Sequence, residues 1–312
     1  MEQQPHLAAP VANVETIAGG TGADAVTLAN TLGTAMSVNL GTGANKLTLA
    51  AGGNTGSVTN VNTLVGGTGA DAVTLANALG TAMSVSLGTG ANKLTLAAGG
   101  NVGSVSNVNT LVGGTGDDTI TLNTAVTNGS IDLGAGNDTL TFANGSNAAT
   151  LANVETAIGG TGSDTFVLTG TTASTVIGGG GINFITGNSG ADTFVFDQNG
   201  TGNSTIMNFS AARGDLIGLD TTGSSTLTNN PFDLGGVSLT NSVDIAMVAD
   251  NAALLAKTLS NGSKGGFAYE QDTGGLYYSG TGHFSGGGTL VGIVTSNGTT
   301  PWAYDATRFV EV

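Results

Sequence analysis

Nine glycine-rich phrases in this chain carry an oxygen-bearing side chain at their sixth position: Asp24, Asn45, Asp71, Asn92, Asp118, Asp138, Asp164, Asn183 and Asp192. A carboxylate held in a tight glycine turn is an oxygen ligand for a hard cation, and loop carbonyls can complete a shell of about six to eight oxygens. The expected chemistry is therefore calcium binding. Carboxylates add charge and can bind through both oxygens, so Asp118, Asp138, Asp164 and Asp192 are the stronger candidates, with Asp117 beside Asp118. Asp24 and Asp71 alternate with Asn45 and Asn92, which are followed by Lys46 and Lys93. Sites in 19–95 are expected to be weak or missing. Asn183 takes the Asp place in its own phrase and completes the candidate set.

The elements that must position these residues follow from repetition. GGTGADAVTL starts at Gly19 and again at Gly66, GGTGDDTITL at Gly113 and GGTGSDTFVL at Gly159, at spacings of 47, 47 and 46 residues. A second phrase, LGTGANKLTL, lies between them at Leu40 and Leu87, and LGAGNDTLTF at Leu133. A fixed period of this size marks a stack of repeated units. Short alternating runs such as AVTLAN, KLTLAA and TFVLT flank each loop, placing apolar side chains inward and small polar ones outward. One loop with its strands makes a coil of about 20–26 residues, the size of a solenoid repeat. Loops of successive coils are then expected to lie over one another at a single corner, about 4.8 Å apart. Asn13, Asn60, Asn107 and Asn153 recur in step and read as turn residues or an amide ladder. The fold class is all-β, a right-handed parallel β-solenoid or β-roll with a smaller β-rich C-terminal cap. Residues 1–10 form an N-terminal cap or tail, 11–203 the repeats and 204–312 the cap. Within that cap, 253–260 is a short helix candidate, and 266–280 reads as a strand–turn–strand hairpin.

Composition narrows the function classes. The chain has 21 acidic and 6 basic residues, a formal net charge of −15, which disfavours nucleic acid and anionic lipid and favours divalent cations. Cysteine is absent, and His6 and His283 are the only imidazoles, so thiolate and multi-histidine metal sites are excluded. Glycine numbers 54 without a three-residue period, which excludes collagen. No apolar stretch is long enough to span a membrane, and MEQQPHLAAP lacks a basic-then-apolar leader pattern. HExxH, GxSxG and GxxxxGK[ST] phrases are missing. Asp215 and Asp220 read as turn acids, His283 as a surface residue and Trp302 as cap packing. No enzymatic activity is expected.

GGGGINFIT and GNSGADTFV at 178–195 are consecutive nonapeptides of the G-G-x-G-x-D-x-U-x type, with Ile185 and Phe194 at the inward apolar position. With IMNFSAARGDLIGLD (206–220) and GFAYEQDTGGLYYSGTG (266–282), they resemble the repeats-in-toxin (RTX) haemolysin-type calcium-binding proteins. The resemblance implies a calcium-stabilised β-roll. It also implies export by type I secretion machinery that reads an uncleaved C-terminal signal, with which the final RFVEV is compatible. Calcium binding would then become folding energy outside the cell. The expected role is a secreted, calcium-binding structural protein at the bacterial cell surface, a surface-layer, fibre or matrix subunit. Its expected partners are copies of itself, the secretion machinery and a cell-surface polysaccharide. An RTX adhesin or an ice- or ligand-binding module is the alternative.

Overall fold

The computed structural model describes residues 10–196, 204–219, 245–249, 252–253, 266–279, 285, 289–296, 300–301, 303 and 308–311. The helix candidate at 253–260 lies outside them except for Ala253, as do Asp220, His283 and Trp302. The chain is a parallel β-solenoid, as the alternating runs predict. It divides into two compact units, Met1–Ala143 with Ala148–Val154, and Asn144–Asn147 with Glu155–Val312. Among the described residues no helix is long and apolar enough to cross a membrane.

In the first unit, strands alternate between two sheets. Sheet one contains β1 (Thr16–Ala18), β3 (Ser37–Asn39), β5 (Thr55–Thr59), β7 (Ala72–Leu75), β9 (Lys93–Thr95), β11 (Thr110–Gly114), β13 (Gly129–Gly134) and β15 (Ala148–Ala152), in that order. Sheet two contains β2 (Ala25–Thr27), β4 (Lys46–Thr48), β6 (Thr63–Val65), β8 (Ser84–Ser86), β10 (Val102–Ser106), β12 (Thr119–Leu122) and β14 (Thr139–Thr141). Three-residue strands bury their central residue and leave its neighbours exposed or half-buried, because side chains alternate across the pleat. Val26, Leu47, Leu64 and Val85 thus stack inside sheet two, and Val73, Leu94, Leu111 and Ile131 inside sheet one. Aliphatic columns of this kind remove apolar surface from water in every coil, at about 25 cal/mol per Å².

The pairing register corrects the expectation of one glycine corner. Asn45 follows Asp24 by 21 residues and lies in the next coil, since Ala25 pairs with Lys46. Lys46 pairs with Thr63, 17 residues on, and not with the strand of the next phrase, Ala72. Ala72 pairs instead with Thr55, on the other sheet. The 47-residue period therefore spans two and a half coils. Successive GGTG phrases lead into β2, β7 and β12, which belong to sheets two, one and two. The physical reason is coil length: 17 to 21 residues close a coil in this unit, so the 26 residues from Gly41 to Gly67 overshoot one coil by half a turn.

The second unit carries the same pattern through β16 (Thr156–Ile158), β17 (Thr165–Thr169), β18 (Thr175–Ile177), β19 (Phe184–Thr186) and β20 (Thr193–Phe196). Each nonapeptide of 178–195 is half a coil. Ile185 pairs with Phe166 in sheet one, and Phe194 pairs with Val176 in sheet two, both buried. Parallel pairing continues past Asn203, where the glycine phrases end. β21 (Ser204–Met207) adds to β19, and β22 (Leu216–Leu219) adds to β20. β23 (Ile245–Val248) pairs with β24 (Gly266–Glu270), which forms an antiparallel hairpin with β25 (Gly275–Ser279), as the sequence predicts. β25 pairs in turn with β26 (Thr289–Val294), which lies parallel to β21. β27 (Phe309–Glu311), inside the terminal RFVEV, pairs with β22.

Candidate functional site

Each candidate acid except Asp117 stands directly before a strand, where the chain leaves a glycine loop and turns into the sheet. That position aims the side chain inward, under the coil. Asp71, Asp118, Asp138, Asp164, Asn183 and Asp192 are buried, and Asp24 is half-buried. Asp117 points outward and is exposed, its Oδ1 accepting from the Asn137 N–H at 2.7 Å.

The inward residues form ladders that climb from coil to coil. One side-chain oxygen of each accepts a backbone N–H from the coil before it. On sheet two the N–H of Asp24 donates to Oδ1 of Asn45 at 3.0 Å, and that of Asn45 to Oδ1 of Asn62 at 2.8 Å. On sheet one, Leu32, Asn54, Asp71 and Asn92 donate in turn to Asn54, Asp71, Asn92 and Asn109, at 2.8 to 3.0 Å. Sheet two resumes with Leu79, Asn101, Asp118 and Asp138. In the second unit Asn147, Asp164, Asn183 and Ser204 form one ladder, and Ser174, Asp192 and Asp215 another. The predicted residues are thus not gathered at one place. They are divided among five short ladders.

The second side-chain atom closes the loop of its own coil, and here Asp and Asn work in opposite senses. Oδ2 of Asp24, Asp71, Asp118 and Asp164 accepts the N–H of the glycine four residues earlier, at 3.1 to 3.4 Å. Nδ2 of Asn45 donates instead to the carbonyls of Leu40, Gly41 and Asn60, and Nδ2 of Asn92 to those of Leu87, Gly88 and Asn107. Loop backbones also bond directly: the N–H groups of Thr42, Thr89, Ala135 and Gly180 donate to the carbonyls of Gly20, Gly67, Gly114 and Gly160 at 2.9 to 3.2 Å.

This geometry sorts the corners by their fit to calcium. At the Asn corners an amide –NH2 sits among the carbonyl oxygens that a cation would need, and those corners do not fit. Asn183 is one of them: its Nδ2 donates to the Gly179 carbonyl and to Ser204 Oγ, and its Oδ1 accepts the Asp164 N–H. Asp24, Asp71 and Asp164 have Asn neighbours within their ladders and contribute one carboxylate each. Two rungs bring carboxylates together, Asp118 with Asp138 and Asp192 with Asp215. The second already has a cation, Arg213, 3.1 Å from Asp215 Oδ2. Asp118–Asp138 is the rung whose donor set suits calcium best. Among the described residues no group of three or more acids or histidines comes together.

No protein-family model, curated protein or solved structure matches the chain.

Sequence reasoning missed several ladder residues, among them Asn62 and Asn109. Asn54, Asn101 and Asn147 each precede an Asp by 17 residues, a signal that is present in the sequence but lies outside the glycine phrases. Asp215, read as a turn acid, is the top rung over Asp192, and its Oδ2 accepts the Ser210 N–H at 2.7 Å. The four in-step asparagines behave as expected. Asn13, Asn60, Asn107 and Asn153 take φ of 50 to 58°, the left-handed region that Asn tolerates, and the side-chain amides of Asn60, Asn107 and Asn153 donate across coils to Asn39 Oδ1, Ser86 Oγ and Asp132 Oδ1.

Burial raises the pKa of Asp164, against the hydrogen bonds from Asn147 and Gly160. Burial pushes Asp192 up to about 6, aided by the nearby Asp215 carboxylate and opposed by hydrogen bonds from Ser174 and Asn188 and by Arg213. The folded chain therefore holds this proton more tightly than the unfolded chain. Stability should rise as pH falls from about 6 toward 4 and level off below. Thermal melting in chelator at stepped pH should show this, and Asp192→Asn should flatten that limb of the curve.

Proposed function

We propose that the chain is an exported structural protein, a surface-layer, fibre or matrix subunit that assembles with copies of itself and takes calcium at the Asp118–Asp138 rung. The observation that carries this reading is the outward surface of the two sheets. Thr16 pairs with Ser37, and Ser57, Thr74 and Thr95 form a hydroxyl column on sheet one. Thr63, Ser84, Ser104, Thr121 and Thr141 form another across sheet two. Side chains this small and regular leave the sheet faces open to close packing by an identical face, at the roughly 10 Å spacing of stacked sheets. The resemblance of 178–195 and 266–282 to RTX proteins supports export through type I secretion machinery and calcium as the ion.

Two carboxylates on adjacent coils repel when both are charged, and a divalent cation between them removes that cost. Asp118 and Asp138 would supply oxygens from successive coils, so binding would fasten one coil to the next. The test is electron microscopy of the purified chain with millimolar calcium and with chelator, alongside Asp138→Asn in calcium. Ordered sheets or filaments that appear only with calcium, and are weakened in Asp138→Asn, are expected. A chain that stays monomeric at high concentration with calcium contradicts the proposal.

A further inference from the structure

We propose that the first unit carries two equivalent clefts that bind a neutral saccharide. The first has a volume of about 430 Å³ and lies between the Gly41–Gly43 loop, the Asn60–Asn62 turn and the segment from Asn77 to Met83. The second, about 280 Å³, lies between the Gly88–Gly90 loop, the Asn107–Asn109 turn and Thr124 with Ala125. Every residue lining the second is the counterpart, 47 positions on, of a residue lining the first. The clefts are thus built by the repeat. Because the repeat spans two and a half coils, the first follows strands of sheet one and the second follows strands of sheet two.

The lining determines the ligand class. No charged residue lines either cleft, although the chain carries a net charge of −15. What lines them are amides and hydroxyls that the fold uses only in part. In the first cleft the Asn60 N–H donates to Asn77 Oδ1 at 2.8 Å, and Asn60 Nδ2 donates to Asn39. Asn60 Oδ1 and Asn77 Nδ2 keep their bonding capacity, as does Asn62 Nδ2, since Asn62 is engaged through Oδ1 alone. In the second cleft Asn107 Oδ1 and Asn109 Nδ2 repeat the pattern, and the Thr124 hydroxyl accepts the Asn107 N–H at 2.6 Å while keeping its own proton to donate. Acceptors and donors side by side, without charge, match ligand hydroxyls, which both donate and accept. Val61 and Met83 add apolar wall to the first cleft, the usual makeup of a ligand site, where a few polar groups fix orientation. Clefts on two sides allow one chain to bridge two polysaccharide strands. This goes beyond the surface-structure reading by assigning a site and a neutral ligand class, and it stands on the clefts whether or not the chain self-assembles.

The experiment is calorimetric titration of the full chain with maltohexaose, cellohexaose and tetra-N-acetylchitotetraose, with trigalacturonate as the acidic control. At least one neutral sugar should bind, at two sites per chain, and the acidic control should not. Ala78→Trp fills the first cleft from an exposed position and Ala125→Trp the second. Either alone should leave one site, and the pair should leave none, with thermal melting unchanged. Asn77→Asp keeps the acceptor for Asn60 while removing the free amide donor, and should weaken one site about tenfold. Failure of every neutral sugar to bind at millimolar concentration, equal binding of trigalacturonate, two-site affinities unchanged by Asn77→Asp, or binding that survives the double Trp variant would overturn the proposal.

Discussion

Gly134→Ala should unfold the first unit or cost it at least about 4 kcal/mol, the range reserved for severe steric and backbone faults. Gly134 has φ of +95°, and a Cβ there would lie 2.0 Å from the Gly114 carbonyl oxygen of the preceding coil. That oxygen is also the acceptor of the Ala135 N–H, which holds the two loops together at 3.2 Å. A methyl group cannot enter this gap unless the coils separate, and separation breaks the ladder beneath. Gly80→Ala is the matched control. Gly80 has open space at the Cβ position and no left-handed φ, so the change should be neutral or should stabilise by about 0.4–1 kcal/mol through the unfolded chain. Urea titration of the two variants measures the contrast.

Asp118→Ala should cost about 3–5 kcal/mol in chelator, where no cation contributes. Oδ1 of Asp118 accepts both the N–H and the Nδ2 of Asn101, at 2.7 and 2.8 Å, and Oδ2 accepts the Gly114 N–H at 3.3 Å. Removing the carboxylate leaves the buried Asn101 N–H of the preceding coil and the half-buried Gly114 N–H of its own loop without an acceptor. Each unsatisfied buried group costs about 1–3 kcal/mol. Asp117→Ala, one residue away, removes an exposed acid with a single backbone bond to Asn137 and should cost no more than about 1 kcal/mol. The adjacent pair therefore separates charge from position: the two acids share charge and sequence neighbourhood and differ in the direction they face.

Much of this fold is legible in the sequence. Alternation in runs such as TFVLT assigns Phe166 and Leu168 inward, and both are buried. The DTGG turn between two aromatic strands announces the β24–β25 hairpin. What sequence spacing hides is phase. A 47-residue repeat on coils of 17 to 21 residues is out of step with the turn, so equal residues fall on opposite sheets and unequal ones become neighbours. Thr74 stands beside Ser57, which shares no phrase with it. The same phase shift hides the hydroxyl columns, because Thr and Ser from different phrases fill one column. It also hides half of the ladder. Asn54 and Asn101 lie in the AGGN segments between phrases, where nothing in the glycine pattern points to a buried amide.

The candidate site was legible in residue type and position, since every inward acid precedes its strand as the phrase implies. Its partners were not legible. Whether an oxygen faces a metal or an N–H depends on which coil lies below, and that follows from the register. The alternation of Asp24 with Asn45 and of Asp71 with Asn92 reads in the sequence as dilution of a metal site. In the fold the two residue types are complementary closures, one accepting from loop N–H groups and the other donating to loop carbonyls.

The chain contains no cysteine, so paired cysteines report the register without interference. Ser57 and Thr74 are partners on adjacent coils of sheet one, at the strand spacing of about 4.8 Å that a disulfide can bridge. Thr48, in the strand of the preceding glycine phrase, belongs to sheet two. Ser57→Cys with Thr74→Cys should oxidise to an intramolecular disulfide, whereas Thr48→Cys with Thr74→Cys should stay reduced. Closure of the second pair and not the first would place all the glycine loops at one corner and contradict the two-and-a-half-coil repeat.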